Sequence, residues 1–333
     1  MPRLSLFLPG LRRSADVKPA DPALGRLLAR ADWQPAADGL PQRLLETSGF
    51  KAAGDLPIAA LCAMHDLDLD TPDAAWCRAD PVHLRADPRL VLLLAPKPGE
   101  VSLAAASAKL EALRQHLPEY EWRMGKSAER WYVRAPELRP TSPHGTAWVN
   151  GRSVTPFVSR EPAAQPWRLL FNDAQMVLHA AETAAADNAA GAPPLNALWL
   201  WGSGDVARGA APPPFCVGND VLLAGAARAA GGRWAAALGC EDVVAEVRQR
   251  DVVLMVEAPW GAALPEVPVL SLETFVRDWL PNLWRALGRD GFEQLALMGE
   301  TDSGMLLPAG RWRVWRRSSS LTVADLHAIP DAP

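Results

Sequence analysis

Five apolar runs constrain this chain more than any other feature: Leu4 to Leu8, Leu90 to Leu94, Ala197 to Trp201, Val252 to Val256 and Leu295 to Met298. Each is as long as a strand. None alternates with polar residues, which is the pattern of strands covered on both faces, as in a parallel sheet between helices. Helical segments are expected between them. Pro166 to about Ala181 has proline at a first-turn position and repeats Trp167, Leu170, Phe171, Ala174, Val177 and Leu178 on one stripe. Asn219 or Asp220 is expected to cap a helix that runs to Ala230 and is stopped by Gly231 and Gly232. Ser271 is expected to cap another, which Pro281 should break or kink. The alternation predicts an α/β fold.

Residues 76 to 150 keep a different rhythm. Extended segments near Leu84 and Leu90 to Leu94 precede a helix from Ser102 to Leu117, followed by extended segments around Tyr120 to Met124 and Arg130 to Arg134. This reads as a small α+β insertion, a cap over 76–150, with a core built from 1–75 and 151–333. With 333 residues the chain can bury a substantial core. Its net charge of −4 gives no general attraction to nucleic acid or an anionic membrane.

Cys62, Cys77, Cys216 and Cys240 form no Cys-x-x-Cys pair, so reduced thiols are the expectation. The opening "MPRLSLFLPGLRR" holds an apolar run too short for a secretory core or a membrane span, which predicts a cytoplasmic protein. The 14 tryptophans are read mainly as core, since large rings dominate burial energetics.

Four stretches carry polar chemistry. In "PPLNALWLWGSGD", 193 to 205, an apolar strand runs into Gly202-Ser203-Gly204, which is either a plain turn or the wall of a ligand crevice. In "WCRADPVHLRAD", 76 to 87, Arg78 and His83 can meet a phosphate or carboxylate; alternatively Asp80 caps a turn before Pro81 and pairs with arginine. "SPHG", 142 to 145, places His144 either in solvent or at a site. "RWRVWRR", 311 to 317, can suggest nucleic acid, but its period of two reads better as an edge strand guarded by arginine.

The histidines at 65, 83, 116, 144, 179 and 327 show none of the common metal-ligand spacings. Neither a Gly-x-Ser-x-Gly elbow nor a Walker loop occurs.

Taken in order, "WCRADPVHLRAD", "RWYVRAP", "WRLLFNDAQMVLH" and "PPLNALWLWGSGD" resemble the RpfE-type bacterial regulatory proteins. The wider resemblance is to archaeal-type cofactor-independent phosphoglycerate mutases of the alkaline phosphatase-like superfamily. It implies an α/β fold with a doubly wound, mostly parallel sheet, a small inserted α+β cap, and an active site between core and cap. The departures matter more than the agreement. Where that family's first strand ends in a metal-binding aspartate, this chain has Pro9, Gly10 and Leu11. Cys62, in "AALCAM", stands where the family has its nucleophilic serine. The expected Asp-x-x-x-His pair is replaced by a segment containing Trp260 to Leu264, and the expected Asp-His pair by Asp302 and Ser303.

Two readings follow from the resemblance. The first is a pseudoenzyme that lost its metal centre and acts in regulation by binding a small phosphorylated or carboxylated metabolite or a regulatory protein. No cofactor, nucleic acid or membrane is expected. Its binding candidates are Arg78, Asp80, His83, His144, Asn172, Gln175, Asn196, Trp201 and Ser203. The second is an active phosphomutase or phosphohydrolase using displaced ligands or Cys62, with manganese or zinc.

Overall fold

The computed structural model describes residues 2–13, 21–36, 38–51, 54–138, 144–182, 194–258, 263–264, 267–288, 291–316 and 321–323. The chain divides into two compact units, one from Met1–Ala52 with Ala207–Ala328, the other principally Ala53–Val206. The first unit opens with β1 (Arg3–Phe7), β2 (Leu11–Arg13), α1 (Pro22–Arg30), β3 (Asp32–Pro35), α2 (Leu40–Thr47) and β4 (Phe50–Lys51). The second follows with α3 (Ile58–Asp66), β5 (Trp76–Ala86), β6 (Val91–Leu94), α4 (Leu103–His116), β7 (Glu121–Met124), β8 (Trp131–Arg134), α5 (Thr146–Val149), α6 (Gln165–Glu182) and β9 (Ala197–Trp201). The chain then returns to the first unit with β10 (Ala207–Arg208), β11 (Phe215–Val217), α7 (Val221–Ala229), β12 (Arg233–Ala235), α8 (Cys240–Val247) and β13 (Val252–Met255). Its last elements are α9 (Leu272–Thr274), α10 (Leu280–Ala286), β14 (Gln294–Met298), β15 (Asp302–Leu306) and β16 (Leu321–Val323).

The first unit is a mixed α/β structure around a sheet of order β12-β11-β13-β1-β14-β15-β3. The strands from β12 to β14 run parallel, and β15 turns antiparallel against β14 and β3. Leu4 and Leu6 on β1, Val252 and Leu254 on β13, and Leu295 and Leu297 on β14 are all buried, as their unbroken apolarity requires. Asp220 is the cap of α7, accepting from Leu223 N at 3.0 Å. Ser271 caps α9. Beyond it the helix neither breaks nor stays regular: residues Phe275–Trp279 form a single π-helical turn before Pro281. Proline lacks the amide that would bond the carbonyl four residues back, and a local widening accommodates that loss.

The second unit holds an antiparallel sheet. β5 pairs with β8 at Trp76 to Arg78, with β9 at Arg78 to Val82, and with β6 at His83 to Ala86. Two of the runs expected in the parallel sheet, at Val91–Leu94 and Ala197–Trp201, are therefore antiparallel strands here. The unit is also wider than the 76–150 cap expected from sequence. α6 covers β9, with Trp167 Nε1 donating to Leu200 O at 3.1 Å and its ring meeting Trp199 edge-on. The pairing of β9 with β5 in turn binds residues 165–201 to the strands of 76–134.

β5 passes straight through Pro81, where one of the two sequence readings placed a turn. Val82 O and Leu84 N turn toward the β9 side, so Pro81, one residue before Val82, faces the other way. There β8 pairing has ended at Arg78 and β6 pairing begins only at His83, so no ladder bond needs the missing amide.

The segment 311–316 is not the expected edge strand. Pro308–Trp312 forms a 3-10 helix followed by a turn, and Arg313 and Arg316 pair with Asp32; Arg317 lies outside the described residues. Among the described residues no helix is long and apolar enough to cross a membrane.

Candidate functional site

Strand alternation puts Arg78 and Asp80 on the same face of β5, and there they find each other. Arg78 Nε donates to Asp80 Oδ1 at 2.8 Å, and its other nitrogen lies 2.7 Å from the same oxygen. Asp80 Oδ2 accepts from Thr146 Oγ1 at 2.6 Å and from Trp201 Nε1 at 2.8 Å. The Arg78 guanidinium also lies over the Tyr132 and Trp201 rings, 5.4 and 5.2 Å from their centroids. Burial works against the Arg78 charge, but the Asp80 carboxylate outweighs it and holds the guanidinium protonated more firmly than usual.

A second buried cluster lies behind it. Asp66, the last residue of α3, accepts from Arg130 Nε at 2.7 Å, from a second Arg130 nitrogen at 3.0 Å, and from Tyr132 OH at 2.7 Å. Burial pushes the Asp66 carboxyl up, yet the Arg130 and Tyr132 bonds bring it below its ordinary value. Burial and the Asp66 charge together push the Tyr132 hydroxyl well up. Gly125 leaves room for this carboxylate: a Cβ there would stand 2.6 Å from Asp66 Oδ2.

The remaining candidates are spread around these clusters rather than gathered on one opening. His83 Nδ1 lies 2.8 Å from Pro194 O. Asn196 imitates one more strand residue, with its side chain accepting from Leu84 N at 2.7 Å and donating to Leu84 O at 3.0 Å. His144 stacks on Trp148 and meets Phe157 edge-on; burial and the Arg152 charge lower its pKa. Ser203 Oγ donates to Leu138 O at 3.2 Å and is buried. Asn172 is exposed and Gln175 half-buried on α6. Cys62 lies inside α3 and is only 1% exposed. The Gly-Ser-Gly segment serves close backbone packing: Gly202, at φ +77, accepts from Ala59 N at 2.8 Å, and a Cβ on Gly204 would run into Asp55 O.

Sequence reasoning misses Asp66, Arg130 and Tyr132, the whole of the second cluster, and Thr146 of the first. The available signal was charge out of place: Asp66 closes the apolar helix "IAALCAMHD", and Arg130 abuts "WYV". A charge at the edge of a buried run needs a partner.

In the first unit, the carboxyl ends of parallel strands are where an open α/β sheet places chemistry. After β1 come Leu8, Pro9 and Gly10. The acidic side chains at the neighbouring strand ends are committed to backbone amides: Glu257 accepts from Leu272 N at 2.7 Å, Glu300 from Gly10 N at 3.1 Å, and Asp220 from Leu223 N at 3.0 Å. Asn219 bonds Leu264 and Val267. Asp302 is buried on β15, accepting from Thr301 Oγ1 at 2.8 Å. Among the described residues no three His, Cys, Asp or Glu side chains form a group able to hold a metal ion. The described residues therefore offer no such group for the pair of divalent ions that the resemblance implies.

No family model and no curated protein matches the chain. Solved structures resemble it over most of its length, among them the following two. A cofactor-independent phosphoglycerate mutase from Thermoplasma acidophilum DSM 1728 is 13% identical with a TM-score of 0.39, covering 92% of this chain and 90% of that one. The PH0037 protein from Pyrococcus horikoshii is 13% identical with a TM-score of 0.46, covering 92% and 87%. The α/β architecture stands on its own strand order and register.

Proposed function

We propose that this chain is a phosphoglycerate mutase-like scaffold that works by binding rather than by phosphoryl transfer, in keeping with the regulatory role its RpfE-type motifs imply. The observation that carries this reading is the use of Glu257, Glu300 and Asp220 as acceptors for backbone amides at the ends of the parallel strands. Two-ion phosphoryl transfer needs such oxygens on the metals, to lower the pKa of the nucleophile and neutralise the moving phosphoryl group. Cys62 supports the same reading, since a nucleophile has to reach its substrate and this thiol is enclosed in a helix.

Arg78 bears on the choice of ligand. It is closed over by Asp80, Tyr132 and Trp201 instead of facing an anionic metabolite. A protein partner is therefore favoured over a small phosphorylated or carboxylated compound.

The test is to dialyse the purified protein against manganese and zinc, measure bound metal, and assay phosphoglycerate mutase and phosphatase turnover in wild type and Cys62→Ala. The expected result is metal far below one equivalent and no turnover in either protein. Near-stoichiometric metal together with turnover that disappears in Cys62→Ala would overturn the reading.

A further inference from the structure

The first unit carries an exposed aromatic patch. Trp312, Val314 and Trp315 are 76%, 63% and 71% exposed, on the 3-10 helix and turn that follow β15. Tryptophan is costly to leave in water, and a cluster of this kind marks an interaction surface more often than a bare one.

Arginine frames it. Arg30 and Arg311 lie over the Trp284 ring, 5.1 and 5.9 Å from its centroid. Arg313 and Arg316 share Asp32 Oδ1 at 2.6 and 3.1 Å. These guanidiniums also bond backbone carbonyls: Arg311 to Leu287 O, Arg313 to Arg30 O and Arg316 to Ala31 O. They are held in place before any partner arrives, which lowers the ordering cost of binding. The patch is thus basic on a chain whose formal net charge is −4.

We propose that this face docks an acidic segment of a partner protein that carries apolar side chains. Aliphatic or aromatic groups pack on Trp312, Val314 and Trp315, and carboxylates meet Arg311, Arg313 and Arg316. Tryptophan and arginine are the residues that dominate binding energy at protein interfaces. Single-stranded nucleic acid fits less well, because aliphatic Val314 offers no stacking face. The proposal names the kind of partner for the binding role above and rests on that role.

The experiment is fluorescence anisotropy on the full chain, using labelled peptides of alternating aspartate and leucine or of lysine and leucine, and labelled oligothymidylate. The acidic peptide is expected to bind saturably and more weakly as salt rises, and the lysine peptide not to bind. In Trp312→Ala/Trp315→Ala the affinity falls roughly tenfold or more. Because both rings are exposed, the variant keeps the wild-type thermal transition, so that loss is not unfolding. Absence of saturable binding, equal affinity in the variant, or tighter binding of oligothymidylate overturns the proposal. The readout involves neither metal nor turnover, so its failure is distinct from failure of the non-catalytic reading.

Discussion

Arg78 and Asp80 stand two residues apart on β5 and close an ion pair of 2.7 Å whose side chains are 2% and 5% exposed. The period of a strand places them on one face; Thr146 and Trp201 then saturate the other carboxylate oxygen. A pair so enclosed is costly to assemble and more costly to break, because removing one partner leaves the other charge buried alone.

Asp80→Asn is accordingly expected to lose about 3–5 kcal/mol of stability, with Arg78 left unsatisfied. The double variant Arg78→Met/Asp80→Asn should lose clearly less than the sum of Arg78→Met and Asp80→Asn alone. Urea unfolding of the four proteins checks this; additive losses would show that the two residues are not coupled.

The Asp66 carboxyl, held below its ordinary value, gives stability a pH dependence of known sign. Its contribution is complete above the unfolded carboxyl value of about 3.9 and is lost as pH falls through the lower folded value. The stability difference between wild type and Asp66→Asn should be constant near neutral pH and shrink below about pH 4. Urea midpoints over an acid series measure it, and a difference that grows on acidification contradicts the assignment.

The sheet was legible in the sequence where burial is symmetric. Leu4, Leu6, Val252, Leu254, Leu295 and Leu297 announce a two-sided parallel core because nothing else suits an unbroken apolar strand. Ala197 to Trp201 carries the same signature but is antiparallel: α6 covers one face with Trp167, and apolarity reports that a face is covered without saying by which strand partner. The clusters were half legible. Arg78, Asp80 and Trp201 were singled out, but as ligand contacts, since a sequence shows a charge and not whether it is enclosed. Thr146 and Tyr132 have no local pattern at all, because they meet Asp80 and Asp66 only across 66 residues of chain.

Thiol chemistry should follow burial. Burial raises the Cys77 thiol far above its ordinary range and Cys216 to about 12, while Cys240, half-buried, rises to about 11. Thiolate is the reactive form, so at pH 8 Cys77 and Cys216 should react with a disulfide reagent only after unfolding. Labelling in buffer and in urea, followed by peptide mass mapping, checks it; rapid native labelling of Cys216 refutes the burial argument.

Two glycines separate steric from conformational cost. Gly145 has φ −68, which any residue adopts, but a Cβ there would stand 2.8 Å from the Trp201 ring. Gly99 has φ +81 with nothing within 4 Å of the added atom. Gly99→Ala should therefore cost about 1–2 kcal/mol for left-handed backbone alone and leave tryptophan spectra unchanged. Gly145→Ala should cost about 1–3 kcal/mol by overpacking and, by moving Trp201 off Asp80, change the near-UV circular dichroism. Since the clash is with one ring, Trp201→Phe should cost less in the Gly145→Ala background than in wild type. Equal costs in both backgrounds would mean that the alanine is accommodated elsewhere and that Trp201 does not hold the 144–149 segment against β5.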